Sequence, residues 1–98
     1  MTPAARVAAA IEILDRVIAG ASAEQVLTGW ARGNRFAGSK DRAAIRDHVY
    51  SALRCLRSFA ALAGVDTPSG RAVMIGALRA AGEVPEAFFT GAGYAPSP

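Results

Sequence analysis

The stretch that decides the fold is SKDRAAIRDHVYSALRCLRSFAALA, from Ser39 to Ala63, which contains neither glycine nor proline. At roughly 100° per residue, its apolar side chains fall in one stripe about 100° wide, the width that a core-facing helix requires. The stripe consists of Ile45, Val49, Ala52, Leu53, Leu56, Ala60 and Ala63. Ser39 is a suitable N-cap, and Gly64 is a suitable stop. The pattern predicts one long central helix.

Two shorter helices are predicted before it. Thr2-Pro3 supplies an N-cap and a proline at the first helical position, and Gly20 ends the first helix. Its apolar residues recur at helical steps: Val7, Ile11, Leu14 and Ile18. Ser22 and Gln25 have the spacing of a capping box and predict a second helix that ends at 33–34. That helix carries Val26, Leu27 and Trp30.

One more helix and a turn are predicted after Gly64. Thr67-Pro68 opens the helix and Gly82 closes it. Its inward residues are Val73, Ala77, Leu78 and Ala81. Pro85 begins a single turn that holds Phe88 and Phe89. Since no run alternates as a strand does, the predicted class is all-α, a small bundle of about four to five helices with a long central helix.

Length and composition describe one small domain. The chain has 98 residues, 52% of them hydrophobic, but 23 residues are alanine, so the core is thin. This size excludes a two-domain enzyme. We expect the domain to span residues 1–89. The loop 32–38, anchored by Phe36, and the segment TGAGYAPSP at 90–98 lack periodicity, and the latter has the composition of a linker to a further domain.

The single cysteine, Cys55, excludes an internal disulfide and a zinc site built on several thiolates. A reducing compartment is the simplest interpretation. The sequence shows no signal-peptide pattern, and no apolar run approaches the ~18–20 residues needed to cross a bilayer. We therefore expect a cytoplasmic protein without a membrane partner.

The residues needed for catalysis are few. The only histidine, His48, lies beside Asp47, and Cys55 follows seven residues later. On a straight helix His48 and Cys55 would be roughly 10 Å apart, too far for proton transfer. The glycines lie between predicted helices, without the strand that a phosphate-binding loop requires. We expect no catalytic residue, metal or cofactor in this chain.

Positive charge is concentrated in one stretch. Between Arg32 and Arg57, seven basic residues accompany only Asp41 and Asp47, a local excess of +5, whereas the rest of the chain is net −2. The seven are Arg32, Arg35, Lys40, Arg42, Arg46, Arg54 and Arg57. On the long helix, a predicted ridge consists of Arg42, Arg46, Tyr50, Arg54 and Arg57. Guanidinium groups can fork onto phosphates and tyrosine can stack on an unpaired base, so the ridge favours RNA binding.

A structural explanation of the same side chains stays open. Basic helix faces are commonly solvated, and Arg46 could pair with Asp47 or Asp41. Arg54 could brace helices through a carboxylate. Trp30 is expected in the core or covering it, with base stacking as the alternative.

The segment SKDRAAIRDHVYSALR at 39–54 resembles the signature helix of NusB-like RNA-binding domains, and RVAAA at 6–10 fits the opening of that family. More narrowly, the chain resembles the N-terminal domain of the Sun/RsmB type of bacterial ribosomal RNA cytosine-C5 methyltransferases. The resemblance covers residues 6 to about 63. Arg6, Arg42 and Arg54 match basic positions of the family, and Asp41 matches an acid that helix capping also explains.

The resemblance implies a NusB-like fold that positions ribosomal RNA for a C-terminal methyltransferase domain of the same protein. That domain would bind S-adenosylmethionine, whereas this chain is expected to be non-catalytic. The RNA-binding residues implied by the ridge, the charge and the resemblance are Arg6, Arg35, Lys40, Arg42, Arg46, Tyr50, Arg54 and Arg57. The alternative is a NusB-like protein interaction module without nucleic-acid binding, in which Phe88, Phe89 and Tyr94 form an apolar patch. Dimerisation of the chain through the exposed C-terminal end that carries this patch also stays open.

Overall fold

A computed structural model describes residues 1–98 as five α-helices followed by one turn of 3-10 helix. The helices are α1 (Pro3–Ile18), α2 (Ala23–Gly33), α3 (Ser39–Arg54), α4 (Leu56–Leu62) and α5 (Gly70–Ala80), and the turn is Pro85–Ala87. There is no strand. The predicted all-α class and the number of helices are confirmed. No helix is both long enough and apolar enough to span a membrane.

The first two helices begin where their caps predict. The Thr2 hydroxyl accepts a hydrogen bond from the Ala5 amide at 3.1 Å. The Ser22 hydroxyl accepts one from the Gln25 amide at 3.4 Å. Gly20 follows α1 with φ +116°, in the region that favours glycine, and lets the chain reverse into α2. Local capping chemistry therefore accounts for this part of the fold.

The prediction of one helix from Ser39 to Ala63 is wrong. The helix breaks at Cys55, whose φ of −122° and ψ of 31° are not helical, so that α3 and α4 are separate elements. The break lets α4 lie along α5. A Cβ atom added to Gly76 of α5 would lie 1.8 Å from the carbonyl oxygen of Phe59, so the two backbones touch directly. The contact between α4 and α5 explains a change of direction that has no glycine or proline signal.

The start of α5 also differs from the prediction. The helix begins at Gly70, with the Ser69 hydroxyl accepting from the Ala72 amide at 3.1 Å, and not at Thr67-Pro68. Asp15 of α1 accepts a hydrogen bond from the Gly70 amide at 2.7 Å. A Cβ atom on Gly70 would lie 2.3 Å from a carbonyl oxygen of α1. Contact with α1 therefore determines where α5 begins.

The core is built from residues of α1, α2, α3 and α5, together with Ala37 and Phe89. Its largest fully buried side chains are Val7, Ile13 and Leu14 from α1, Ile45 and Val49 from α3, and Val73 and Met74 from α5. Because α1 contacts α2, α3 and α5, it shares the central place predicted for the third helix alone. Two predicted inward residues, Ile18 and Ala81, lie at helix ends and are exposed.

The predicted positions of several aromatic residues also change. Phe36, the expected anchor of the loop 32–38, is 66% exposed, and its neighbour Ala37 is buried instead. Phe89 is buried in the core, so the expected patch of Phe88, Phe89 and Tyr94 is reduced mainly to Tyr94. The segment 90–98 folds back on itself through a hydrogen bond from the Gly91 amide to the carbonyl of Pro96 at 2.8 Å.

Candidate nucleic-acid interface

An open cleft of about 620 Å³ lies between α2 and α3, and four exposed arginines line it. Arg32 is in the last turn of α2, and Arg35 is in the loop that follows. Arg42 and Arg46 lie one turn apart on α3. The remaining lining is formed by Leu27, Thr28, Trp30, Ala31, Ala43 and Ile45. The basic cleft thus combines four positive charges with a mainly apolar floor, and no acidic side chain lines it.

The arginines of the cleft differ in how they are held. Arg42 donates a hydrogen bond from Nη1 to the carbonyl of Ala37 at 2.7 Å, which ties α3 to the loop before it. Arg46 is ion-paired across the two helices. Arg32 and Arg35 donate no hydrogen bond to the protein and form no ion pair. Two guanidinium groups of the basic cleft are therefore free to bind an anion.

The partner of Arg46 is Glu24 of α2. Its carboxylate accepts hydrogen bonds from both Nη atoms of Arg46, and the hydroxyl of Tyr50 donates a third at 2.7 Å. The hydrogen bonds from Arg46 and Tyr50 lower the pKa of Glu24 to about 2. The hydrogen bond that Tyr50 donates to Glu24 also raises the pKa of Tyr50. The expectation that Arg46 pairs with Asp47 or Asp41 is wrong, because helix packing brings Glu24 closer than the local acids.

Arg6 and Asp41 form a second ion pair, which joins α1 to the start of α3. Arg6 Nε lies 2.9 Å and Nη2 lies 2.8 Å from Asp41 Oδ1. The other oxygen of Asp41 accepts from the Gly38 amide at 3.1 Å, so its expected capping role is confirmed, although Gly38 and not Ser39 is the N-cap residue. The hydrogen bond from Arg6 lowers the pKa of Asp41. Arg6 does not line the basic cleft.

The break at Cys55 divides the predicted ridge. Arg54 is the last residue of α3, and Arg57 belongs to α4. Both are exposed, form no ion pair and lie outside the cleft lining, so Arg54 does not brace helices through a carboxylate. Lys40 is likewise exposed and outside the lining.

The structure therefore brings together only part of the predicted RNA-binding set. Arg35, Arg42 and Arg46 line the basic cleft, and Tyr50 lies outside the lining, where it shares the Glu24 carboxylate with Arg46. Sequence reasoning counted Arg32 in the basic stretch but left it out of the RNA-binding set, because the predicted ridge follows α3 alone whereas Arg32 lies on α2. Trp30, 9% exposed, belongs to the core and to the floor of the cleft.

His48 occupies a different cavity, of about 330 Å³, which is also lined by Arg6, Ser51 and Phe59. Burial in this cavity lowers the pKa of His48. The histidine makes no hydrogen bond to Cys55, which is a half-buried free thiol at the junction of α3 and α4.

No protein-family model, curated protein or solved structure matches the chain. Guanidinium groups present paired N–H donors that match two oxygens of a phosphate, and they stay charged at any physiological pH. Four of them around one concave surface can hold a phosphate-bearing chain.

Proposed function

We propose that this protein is an RNA-binding domain that holds the sugar-phosphate backbone of RNA in the basic cleft. The observation that carries the proposal is the convergence of Arg32, Arg35, Arg42 and Arg46 over a mainly apolar floor, with no acid in the lining. Charge of one sign in a concave site attracts polyanions. Arg32 and Arg35 have no competing partner in the protein, so they are available for phosphates.

The shape of the cleft favours unpaired RNA over a duplex. A duplex presents its phosphates on a convex surface, whereas a single strand or a loop can enter a cleft and place a base against apolar side chains. Ala31 and Ala43 supply the accessible part of that floor, and Leu27, Trp30 and Ile45 supply its buried part. Tyr50, beside Arg46, supplies a ring on which a base can stack.

The resemblance to NusB-like domains of Sun/RsmB-type methyltransferases supports a more specific version of the proposal. In that version the RNA is ribosomal and the compartment is the cytoplasm. The chain is then the non-catalytic part of a cytosine-C5 methyltransferase, whose C-terminal domain binds S-adenosylmethionine. The arginine-lined cleft would place the RNA for that domain.

The first prediction compares arginines inside and outside the cleft. Replacing Arg32 or Arg35 with Ala should weaken binding to a ribosomal RNA loop or to oligouridylate, and should lower the slope of log K against log salt by about 0.7 for each lost phosphate contact. Arg57→Ala is the matched control, since Arg57 is also exposed and unpaired but lies on α4. Fluorescence anisotropy at several salt concentrations measures both quantities.

Two outcomes would contradict the assignment. An effect of Arg57→Ala equal to that of the cleft variants would mean that RNA binds the basic surface without preference for the cleft. Affinities unchanged by Arg32→Ala and Arg35→Ala would remove the cleft as the site. Neither arginine contacts another part of the protein through a hydrogen bond, so both variants should keep the wild-type melting temperature.

A second candidate function, a protein interaction module, is favoured by an apolar groove of about 450 Å³ beside α1. Exposed Phe36 and Tyr94 flank it, with exposed fractions of 66% and 84%. Salt distinguishes the candidates, because phosphate contacts weaken steeply as salt rises whereas an apolar interface responds little.

A further inference from the structure

The Glu24 carboxylate accepts hydrogen bonds from Arg46 and Tyr50 in the way that a bound phosphate would. The Glu24 carboxylate presents two oxygens to the two Nη atoms of Arg46, which is the fork geometry by which arginine also binds phosphate. The Tyr50 hydroxyl donates to one of the same oxygens. Glu24 does not line the basic cleft, but its carboxylate occupies the donors of an arginine that does.

We propose that Glu24 is an intramolecular competitor for the RNA site, a carboxylate that holds Arg46 and Tyr50 in the free protein and is displaced by an RNA phosphate. The inference rests on the proposed function and adds how the site is regulated. RNA first engages Arg32 and Arg35, which have no partner, and its next phosphate is then held close to Arg46. A linked phosphate at high effective concentration can exchange with Glu24.

The exchange requires no unfolding, because both partners are accessible to water. The side chains of Arg46 and Glu24 are 47% and 60% exposed. Exposed ion pairs of this kind are weak, so a phosphate of equal geometry can replace the carboxylate. The Arg46 guanidinium already lies 5.8 Å from the centre of the Tyr50 ring. Release of Glu24 therefore frees the guanidinium of Arg46 and the hydroxyl of Tyr50 at the same place, and both can donate to a phosphate.

The deciding experiment compares Glu24→Gln with Asp47→Asn. Each variant removes one negative charge near α3, but Asp47 is exposed and unpaired whereas Glu24 holds Arg46. With oligouridylate as the probe, we expect Glu24→Gln to bind about two- to fivefold more tightly than Asp47→Asn. We expect its salt slope to stay close to that of the wild type, since Arg46 contacts a phosphate in both complexes and the variant only avoids the loss of the Glu24 carboxylate.

A second readout is the pH dependence of binding, compared between the wild-type chain and Glu24→Gln. Displacement of Glu24 removes the hydrogen bonds that lower its pKa to about 2, so the carboxylate takes up a proton more readily in the complex. Binding of oligouridylate should then strengthen as the pH falls from 6 to 4. Neither uracil nor a phosphodiester titrates in this range, and the contribution of His48, whose pKa lies below 6.5, persists in Glu24→Gln. The pH dependence should be smaller in Glu24→Gln.

The outcomes separate the two proposals. If the wild-type protein binds oligouridylate but Glu24→Gln binds no more tightly than Asp47→Asn and wild-type affinity does not change with pH, Glu24 is a structural ion pair and the inference is overturned. If neither the wild type nor Glu24→Gln binds oligouridylate or a ribosomal RNA loop at low salt, the proposed function itself fails.

Discussion

Single polar side chains join the helices of this protein. Arg6 holds Asp41 at the start of α3, Glu24 holds Arg46, and Asp15 holds the first amide of α5. In each case the partners are far apart in the sequence. The sequence therefore shows that these polar residues are present, but not which residues they pair with.

At the residue scale, the burial of His48 leads us to predict that the free energy of unfolding depends on pH. Burial lowers its pKa below the ordinary value of 6.5, an effect strengthened by Arg6 and opposed by Asp47. The unfolded chain then binds a proton before the folded protein does, so stability is complete above about pH 6.5 and falls as the pH decreases through that value. Urea denaturation at pH 7.5, 6.5 and 5.5 measures the decrease.

His48→Gln tests whether this histidine is the source. The variant removes the titrating group and should flatten the decrease between pH 7.5 and 5.5. Glu24 and Asp41, whose pKa values are lowered, lose their stabilising effect only at lower pH, as the pH falls below their ordinary range, and do not interfere. A decrease as steep as in the wild type would assign the effect to another group.

At the scale of elements, two glycines set how closely the helices approach. Gly70 lets α5 approach α1, and Gly76 lets the backbone of α5 touch that of α4. Neither position tolerates a Cβ atom without movement of the neighbouring backbone. The break at Cys55 separates α4 from α3. It allows α4 to pack against α5 at Gly76.

We expect Gly76→Ala to destabilise the protein by about 1–3 kcal/mol or more, the usual cost of overpacking, because the added methyl group meets the Phe59 carbonyl. Gly29→Ala is the control: Gly29 is also inside a helix, but nothing lies within 4 Å of its added Cβ atom. That change should stabilise the fold by about 0.5–1 kcal/mol through helix propensity. Chemical denaturation measures both. Equal effects of the two changes would contradict the close contact.

At the scale of the whole molecule, Phe89 and the segment that follows it differ in burial. Phe89 is 7% exposed and belongs to the core. The segment 90–98 is mostly exposed, and its contact with α5 is a hydrogen bond from Arg71 to the Ser97 carbonyl at 2.8 Å. Arg71 also lies 4.7 Å from the centre of the Phe89 ring.

Removal of residues 91–98 should therefore cost less than about 1 kcal/mol of stability, since it deletes exposed hydrogen bonds and little buried surface. Phe89→Ala should cost about 3–5 kcal/mol because it empties a core position. Thermal or urea denaturation of the two variants gives the comparison. A truncation as damaging as Phe89→Ala would extend the folded unit beyond residue 89.

The sequence alone determined the features that depend on neighbours within a few residues. The helical class follows from 3.6-residue periodicity, and Thr2, Ser22 and Gly20 place helix ends by local hydrogen bonding and backbone freedom. The concentration of positive charge between Arg32 and Arg57 is likewise a property of the chain.

Only the tertiary structure decided the features that depend on which helices meet. The packing of α4 against α5 broke the predicted helix at Cys55 and so separated Arg57 from α3. The meeting of α2 and α3 joined Arg32 and Arg35 to Arg42 and paired Arg46 with Glu24. Periodicity reports which side of a helix is apolar, but not which neighbour covers it or which acid lies opposite a given arginine. For that physical reason a ridge along one helix was predicted, and a cleft between two helices was found.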